Sequence, residues 1–197
     1  MIMAPRHDGW FAPLIETPGK DIPQDRIGPF CAGLVVSHRR DDALVTVDMG
    51  GGYGGSMHDH LKANGVEVYG YKGAEGTTRR SRDGKMKFVN VRSAACWMFR
   101  EALDPAQEGG SPIALPPDPV LVADLTALTF EPTPNGIKVI TKEKVCELLM
   151  RSTDRGDGTI MSWWTGPKAI THYNTWRADQ RMNRNAPIKV NMGSRRK

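Results

Sequence analysis

A mixed α/β fold, with a central sheet flanked by helices and one β-hairpin, is predicted by three features of this sequence. Short apolar runs such as Ala43 to Val47 alternate with segments whose apolar residues recur at helical spacing. Pro132-Thr133-Pro134-Asn135-Gly136 separates two further apolar runs, and its Asn-Gly pair favours a tight hairpin. The length of 197 residues suits one domain with a sizeable core.

The elements follow in order. Phe11 to Glu16 is mainly apolar and reads as a strand that stops at Thr17-Pro18-Gly19. Pro29 fits a first helical turn, and Phe30, Cys31, Leu34 and Val35 make the two-wide stripe of a helix lying on a sheet. Ala43 to Val47 has too little alternation for an exposed edge, so a central strand is expected, ending on Asp48. Ser56 and Asp59 form a capping box for a short helix that stops at Asn64-Gly65. Val66 to Tyr71 is the next strand, and the polar stretch from Lys72 to Lys87 reads as an exposed loop or hairpin. Ser93 to Leu103 is a helix, a Pro/Gly-rich connection runs to Pro119, and Val120 to Leu128 is again helical. The hairpin strands are Thr129 to Glu131 and Ile137 to Thr141, and Lys142 to Arg151 is a helix with Val145, Leu148 and Leu149 facing inward.

The net charge of +5 is unevenly spread. Residues 166–197 carry eight Lys or Arg against Asp179 alone, and residues 72–87 carry six against Glu75 and Asp83. Both are positive patches that attract phosphate. Cys31, Cys96 and Cys146 are far apart and form no CxxC pair, which points to buried free thiols and away from disulfides or zinc. No run approaches the ~18 apolar residues of a membrane span, and the N-terminus lacks a signal peptide's apolar stretch. A cytoplasmic protein with no membrane partner is expected.

Two acidic features carry candidate chemistry. Asp48 ends a central strand just before Gly50-Gly51-Gly52-Tyr53-Gly54-Gly55, and ligands of open α/β sheets bind at the carboxyl ends of strands. In Arg151-Ser152-Thr153-Asp154-Arg155-Gly156-Asp157, two carboxylates three apart at a helix start face one side. Asp154 alone would also serve as an N-cap, and Asp48 as a turn residue. Should Asp48 and Asp157 converge, they would form a hard, oxygen-rich site for Mg²⁺ or Mn²⁺. Lys142 and Lys144 lie near the last acids, where they could neutralise a phosphate or simply be solvated.

Trp10-Phe11-Ala12-Pro13-Leu14, Pro18-Gly19-Lys20-Asp21, Val47-Asp48-Met49-Gly50-Gly51-Gly52-Tyr53-Gly54, Asp59-His60-Leu61, Phe88-Val89-Asn90-Val91-Arg92, Arg100-Glu101-Ala102-Leu103, Leu115-Pro116-Pro117-Asp118 and the 151–157 segment follow one another along the chain. In this order they resemble the C-terminal nuclease domain of phage large terminases. The resemblance implies an RNase H-like fold over residues 1–165, with residues 166–197 a basic tail. It also implies a carboxylate cluster holding two divalent ions, Mg²⁺ or Mn²⁺, in which Asp48 matches the second catalytic acid, Asp157 the last and Asp154 the one accompanying it. The implied partners are double-stranded DNA, a terminase ATPase domain, the small terminase subunit and the portal. On phosphates, the expected contacts are Lys72, Arg79, Arg80, Arg82, Lys142 and Lys144.

The sequence departs from that family at three places. The strand bearing the family's first catalytic Asp is expected upstream of Met1, Ala94 or Ala95 stands where a Glu is usual, and Thr153 and Gly158 replace Pro and Ala near the last acids. These departures support an alternative, a truncated or catalytically impaired DNA-binding packaging module. The chain has no GxxxxGK[ST] phosphate loop for an ATPase motor. A lesser alternative takes Gly50, Gly52 and Gly55 as the GxGxxG of a dinucleotide-binding enzyme, although Asp48 would repel pyrophosphate and the next strand ends at Tyr71-Lys72 rather than on an acid.

Overall fold

The chain opens with two small antiparallel ladders. β1 (Ile2–Met3) pairs with β4 (Ile15–Glu16), and β2 (Arg6–His7) pairs with β3 (Trp10–Phe11) around the Asp8-Gly9 turn, where Asp8 adopts φ 54°. The strand expected over Phe11 to Glu16 is thus two strands, because Pro13 lacks the N–H that a continuous ladder needs. The computed structural model describes residues 1–40, 42–50 and 52–166, and the basic segment from residue 167 onward lies outside them. Residues 1–166 cluster as one compact unit.

α1 (Ile27–His38) packs on α2 (Gly54–Ala63). The expected capping box does not start α2: the helix begins two residues before Ser56, with Tyr53 at the N-cap and no side-chain cap. β5 (Val45–Asp48) precedes α2 and β6 (Val68–Tyr71) follows it, and the two strands pair in parallel, with Thr46 beside Tyr69 and Asp48 beside Tyr71. Period-2 alternation gives this pair two faces. Val45, Val47 and Val68 join Ala32, Val35, Leu61 and Val66 in one core cluster, under α1 and α2.

The opposite face belongs to the larger cluster, where Tyr71 packs with Phe11, Phe88, Phe99, Val139, Ile160 and Trp164. α3 (Val91–Leu103) supplies Ala94, Ala95, Cys96 and Phe99 to it and is capped by Asn90, whose side chain accepts from the Ser93 amide at 2.9 Å. α4 (Pro119–Thr126) starts at Asp118, with Pro119 in the first turn where its missing N–H costs nothing. β7 (Phe130–Thr133) and β8 (Gly136–Val139) form the expected hairpin. α5 (Lys142–Leu149) and α6 (Asp154–Trp163) complete the unit, and α6 packs against α3, α4, β1 and β5. The class is the predicted mixed α/β one, built from four two-stranded ladders among the described residues, with single bridges such as Phe88 to Ile137 between them. No described helix is long and apolar enough to cross a membrane.

Candidate functional site

Asp48 is exposed at the carboxyl end of β5, on the face that carries Tyr71. Its Oδ1 accepts the Gly50 N–H at 2.9 Å. The chain then doubles back so closely that a Cβ on Gly54 would stand 1.9 Å from the Asp48 carbonyl oxygen. Only glycine fits there, which ties the glycine run to the shape of the turn that presents Asp48.

α6 lies against β5 and places Trp164, just past its last turn, on the same face: the Trp164 indole N–H donates to the Tyr69 hydroxyl at 3.1 Å, and its ring meets Tyr71 edge-on. Both Asp154 and Asp157 fall in the first turn of this helix, where a helix dipole favours negative charge. Lys142, at the start of α5, reaches both, with its Nζ 3.0 Å from Asp154 Oδ1 and 2.9 Å from Asp157 Oδ2. Partial burial opposes the ammonium form, but Asp157 and then Asp154 outweigh it, so Lys142 is held above its ordinary range. Burial likewise pushes Asp154 upward, and the hydrogen bonds from Lys142 and Ser152 override it, leaving that carboxyl below its usual value.

The charges of Asp48 and Asp157 both bear on Tyr71. This phenol is raised well above its ordinary range by burial first, and then by Cys96, with Asp157 and Asp48 both contributing and Arg92 opposing. Arg92 donates to the Ile140 carbonyl at 2.5 Å and is thereby held beside the site. Cys96, buried behind it, is pushed up to about 12 by desolvation and is an inert thiol.

Each of the two acids is tethered at one oxygen. Asp157 Oδ2 receives Lys142 and the Thr153 hydroxyl at 3.1 Å, and Asp48 Oδ1 receives Gly50; Asp157 Oδ1 and Asp48 Oδ2 have no partner among the described residues. A carboxylate with an open oxygen suits a hard cation such as Mg²⁺, which is bound by one or two carboxylates and keeps water. Among the described residues no group of three or more His, Cys, Asp or Glu is gathered to hold a metal.

The expected phosphate contacts divide into two groups. Arg79 lies 3.9 Å above the Trp164 ring and donates to the Trp164 carbonyl at 3.2 Å, while the Arg82 guanidinium donates to the Glu101 carbonyl and its amide to the Glu101 carboxylate at 3.1 Å. Both residues are exposed, so these contacts tether side chains at the surface. Lys72 pairs with exposed Glu75 at 3.0 Å, and Arg80 and Lys144 are exposed, with no side-chain partner among the described residues.

Tyr71, Arg92 and Asp124 bear on the site without having been named as site residues, and Thr153 was noted only as a departure from the family pattern. A lone Asp124 inside the apolar run Val120 to Leu128 was a usable signal of a buried acid.

Three solved structures share this arrangement of elements. The K428A mutant nuclease domain of the large terminase subunit gp2 of bacterial virus Sf6 with manganese superposes with a TM-score of 0.59 at 16% identity, covering 81% of this chain and 80% of that one. The fold is that of a phage terminase nuclease domain. The same Sf6 domain with manganese and beta-thujaplicinol (TM-score 0.59, 17% identity, 81% and 79% covered) and with calcium (TM-score 0.59, 16% identity, 81% and 79% covered) gives the same result. No protein-family model and no curated protein matches the sequence. The terminase nuclease fold is the RNase H-like one, so the α/β class with its flanking helices and hairpin agrees with the expectation.

Proposed function

We propose that residues 1–165 form a metal-dependent DNA endonuclease domain that cuts concatemeric viral DNA during packaging in the host cytoplasm, with residues 166–197 as a basic tail. The observation that supports this reading is that Asp48, at the end of β5, and Asp157, in the first turn of the α6 helix that packs on β5, each have one tethered and one open oxygen among the described residues. Its support from outside the chain is the terminase nuclease fold, whose matched Sf6 structures contain manganese or calcium.

Asp48 and Asp157 would hold Mg²⁺ or Mn²⁺, with Asp154 as ligand or helper, and water and phosphate oxygens completing the shells of the two ions that the resemblance implies. Bound divalent ions at such a site activate a water and stabilise the leaving oxygen of a phosphodiester. Lys142 neutralises Asp154 and Asp157 and sets a cation beside the phosphate path, and Lys144, Lys72 and Arg80 supply further positive charge along it. The proposed partners are double-stranded DNA and, within the packaging machine, an ATPase domain, the small terminase subunit and the portal.

A second reading, a DNA-binding module without catalysis, draws on the finding that no group of three or more His, Cys, Asp or Glu is gathered to hold a metal among the described residues. Plasmid nicking with Mn²⁺ and Mg²⁺, beside Asp48→Asn and Asp157→Asn, separates the two. The nuclease reading expects metal-dependent nicking that falls by about 10²–10³-fold in either variant, of the order seen when a group that stabilises transition-state charge is lost. Salt-sensitive DNA binding with no nicking by the folded wild-type chain selects the second reading.

A further inference from the structure

α6 is capped in an unusual way. An N-cap threonine ordinarily accepts a hydrogen bond from an amide two or three residues on. Thr153 holds the N-cap position of α6 and makes no such bond. The Gly156 amide donates instead to Asp124 Oδ2 at 2.9 Å, across from α4. Asp124 is a side chain only 1% exposed, and Arg151 holds its other oxygen at 2.5 Å.

The Thr153 hydroxyl donates to Asp157 Oδ2 at 3.1 Å, the oxygen that Lys142 also binds. The two donors differ in kind. Lysine is a compact charge on a flexible stem, whereas a threonine 3% exposed on a β-branched carbon is stiff at χ1. Lys142 can follow the carboxylate if it rotates; Thr153 cannot.

We propose that Thr153 is a positioning residue: its hydroxyl fixes the Asp157 carboxylate so that Oδ1 is presented toward a divalent ion, while Asp124 caps α6 from the neighbouring helix. This rests on the metal-dependent reading above. It gives the replacement of the family's proline by Thr153 a chemical consequence, since proline carries no donor.

The test is Mn²⁺ affinity of the full chain by isothermal titration calorimetry, with thermal midpoints measured in parallel. Thr153→Val, which removes the donor at constant shape, is expected to weaken Mn²⁺ binding by about 10-fold or more, as loss of a hydrogen bond to a metal ligand does elsewhere. Thr153→Ser, which keeps the hydroxyl, is expected to bind within a few-fold of wild type. If Thr153→Val perturbs folding, Thr153→Ala serves the same comparison. Wild-type affinity in the valine or alanine variant overturns the proposal and leaves the metal site standing. Equal weakening in valine and serine variants also overturns it, since the loss then belongs to packing. Absence of Mn²⁺ binding by wild type, or binding unchanged in Asp48→Asn, Asp157→Asn, removes the metal site itself and the role of Thr153 with it.

Discussion

Gly156→Ala is predicted to destabilise the chain, while Gly158→Ala two residues later stabilises it. Both glycines sit in the interior of α6, where alanine is intrinsically better by about 1 kcal/mol. At Gly156 a new Cβ would stand 2.7 Å from the Asp124 Cβ, which is anchored to α4 and has no rotamer that moves it away. Forcing α4 and α6 apart costs about 1–3 kcal/mol as overpacking. It also lengthens the 2.9 Å bond between the Gly156 amide and the buried Asp124, and an under-satisfied buried acceptor costs about 1–3 kcal/mol more. Set against the propensity gain, the net effect is about 3 kcal/mol of lost stability, or a thermal midpoint lower by roughly 6–12 °C for a domain of this size. At Gly158 the Cβ meets only Ile2 Cγ2, at an ordinary 3.7 Å, so the propensity term stands alone and the midpoint rises by a few degrees. Urea and thermal unfolding of the two variants measure the difference in sign. Equal stabilisation by both would falsify the close α4–α6 contact and, with it, the capping of α6 by Asp124.

Two further predictions concern charge. Arg79→Ala is expected to lose about 1–2 kcal/mol of stability, from its stacking on Trp164 and its bond to the Trp164 carbonyl, with little change in DNA affinity, whereas Arg80→Ala should leave stability alone and reduce the salt dependence of DNA binding by about one unit of slope; fluorescence anisotropy across a salt series and a melting curve check both. The Asp154 carboxyl titrates below its ordinary 3.8, so its pairing with Lys142 stabilises the fold above that value and the stabilisation is lost as pH falls through the lower folded value. The stability gap between wild type and Lys142→Met, followed by urea unfolding from pH 6 downward, should therefore hold down to about pH 4 and close below it, and a gap that persists at pH 2 contradicts the pairing.

How much of this was legible in the chain differs from residue to residue. Asp48 at a strand end, Asp157 in a first helical turn and Lys142 just after the hairpin were found because each position follows from local pattern. The single strand expected over Phe11 to Glu16 failed at Pro13, where a missing donor outweighs apolar composition. The capping box at Ser56 and Asp59 failed because the helix already starts at Gly54, where the chain doubles back over Asp48. Arg79 and Arg82 looked like free cations in a polar loop, and their partners, Trp164 and Glu101, lie 85 and 19 residues away.

The sequence by itself determined the alternation of strands and helices, the hairpin, the free thiols and the places of the acids, since all of these follow from backbone preference and period within a short window. Only the tertiary structure decided how the acids are oriented. The Asp157 carboxylate is set by Lys142 and by Thr153, and the helix that carries it is capped by Asp124, 32 residues before Gly156. A carboxylate turns about its own bonds at little cost, so what presents one oxygen and ties down the other is the packing of α4, α5 and β5 around α6.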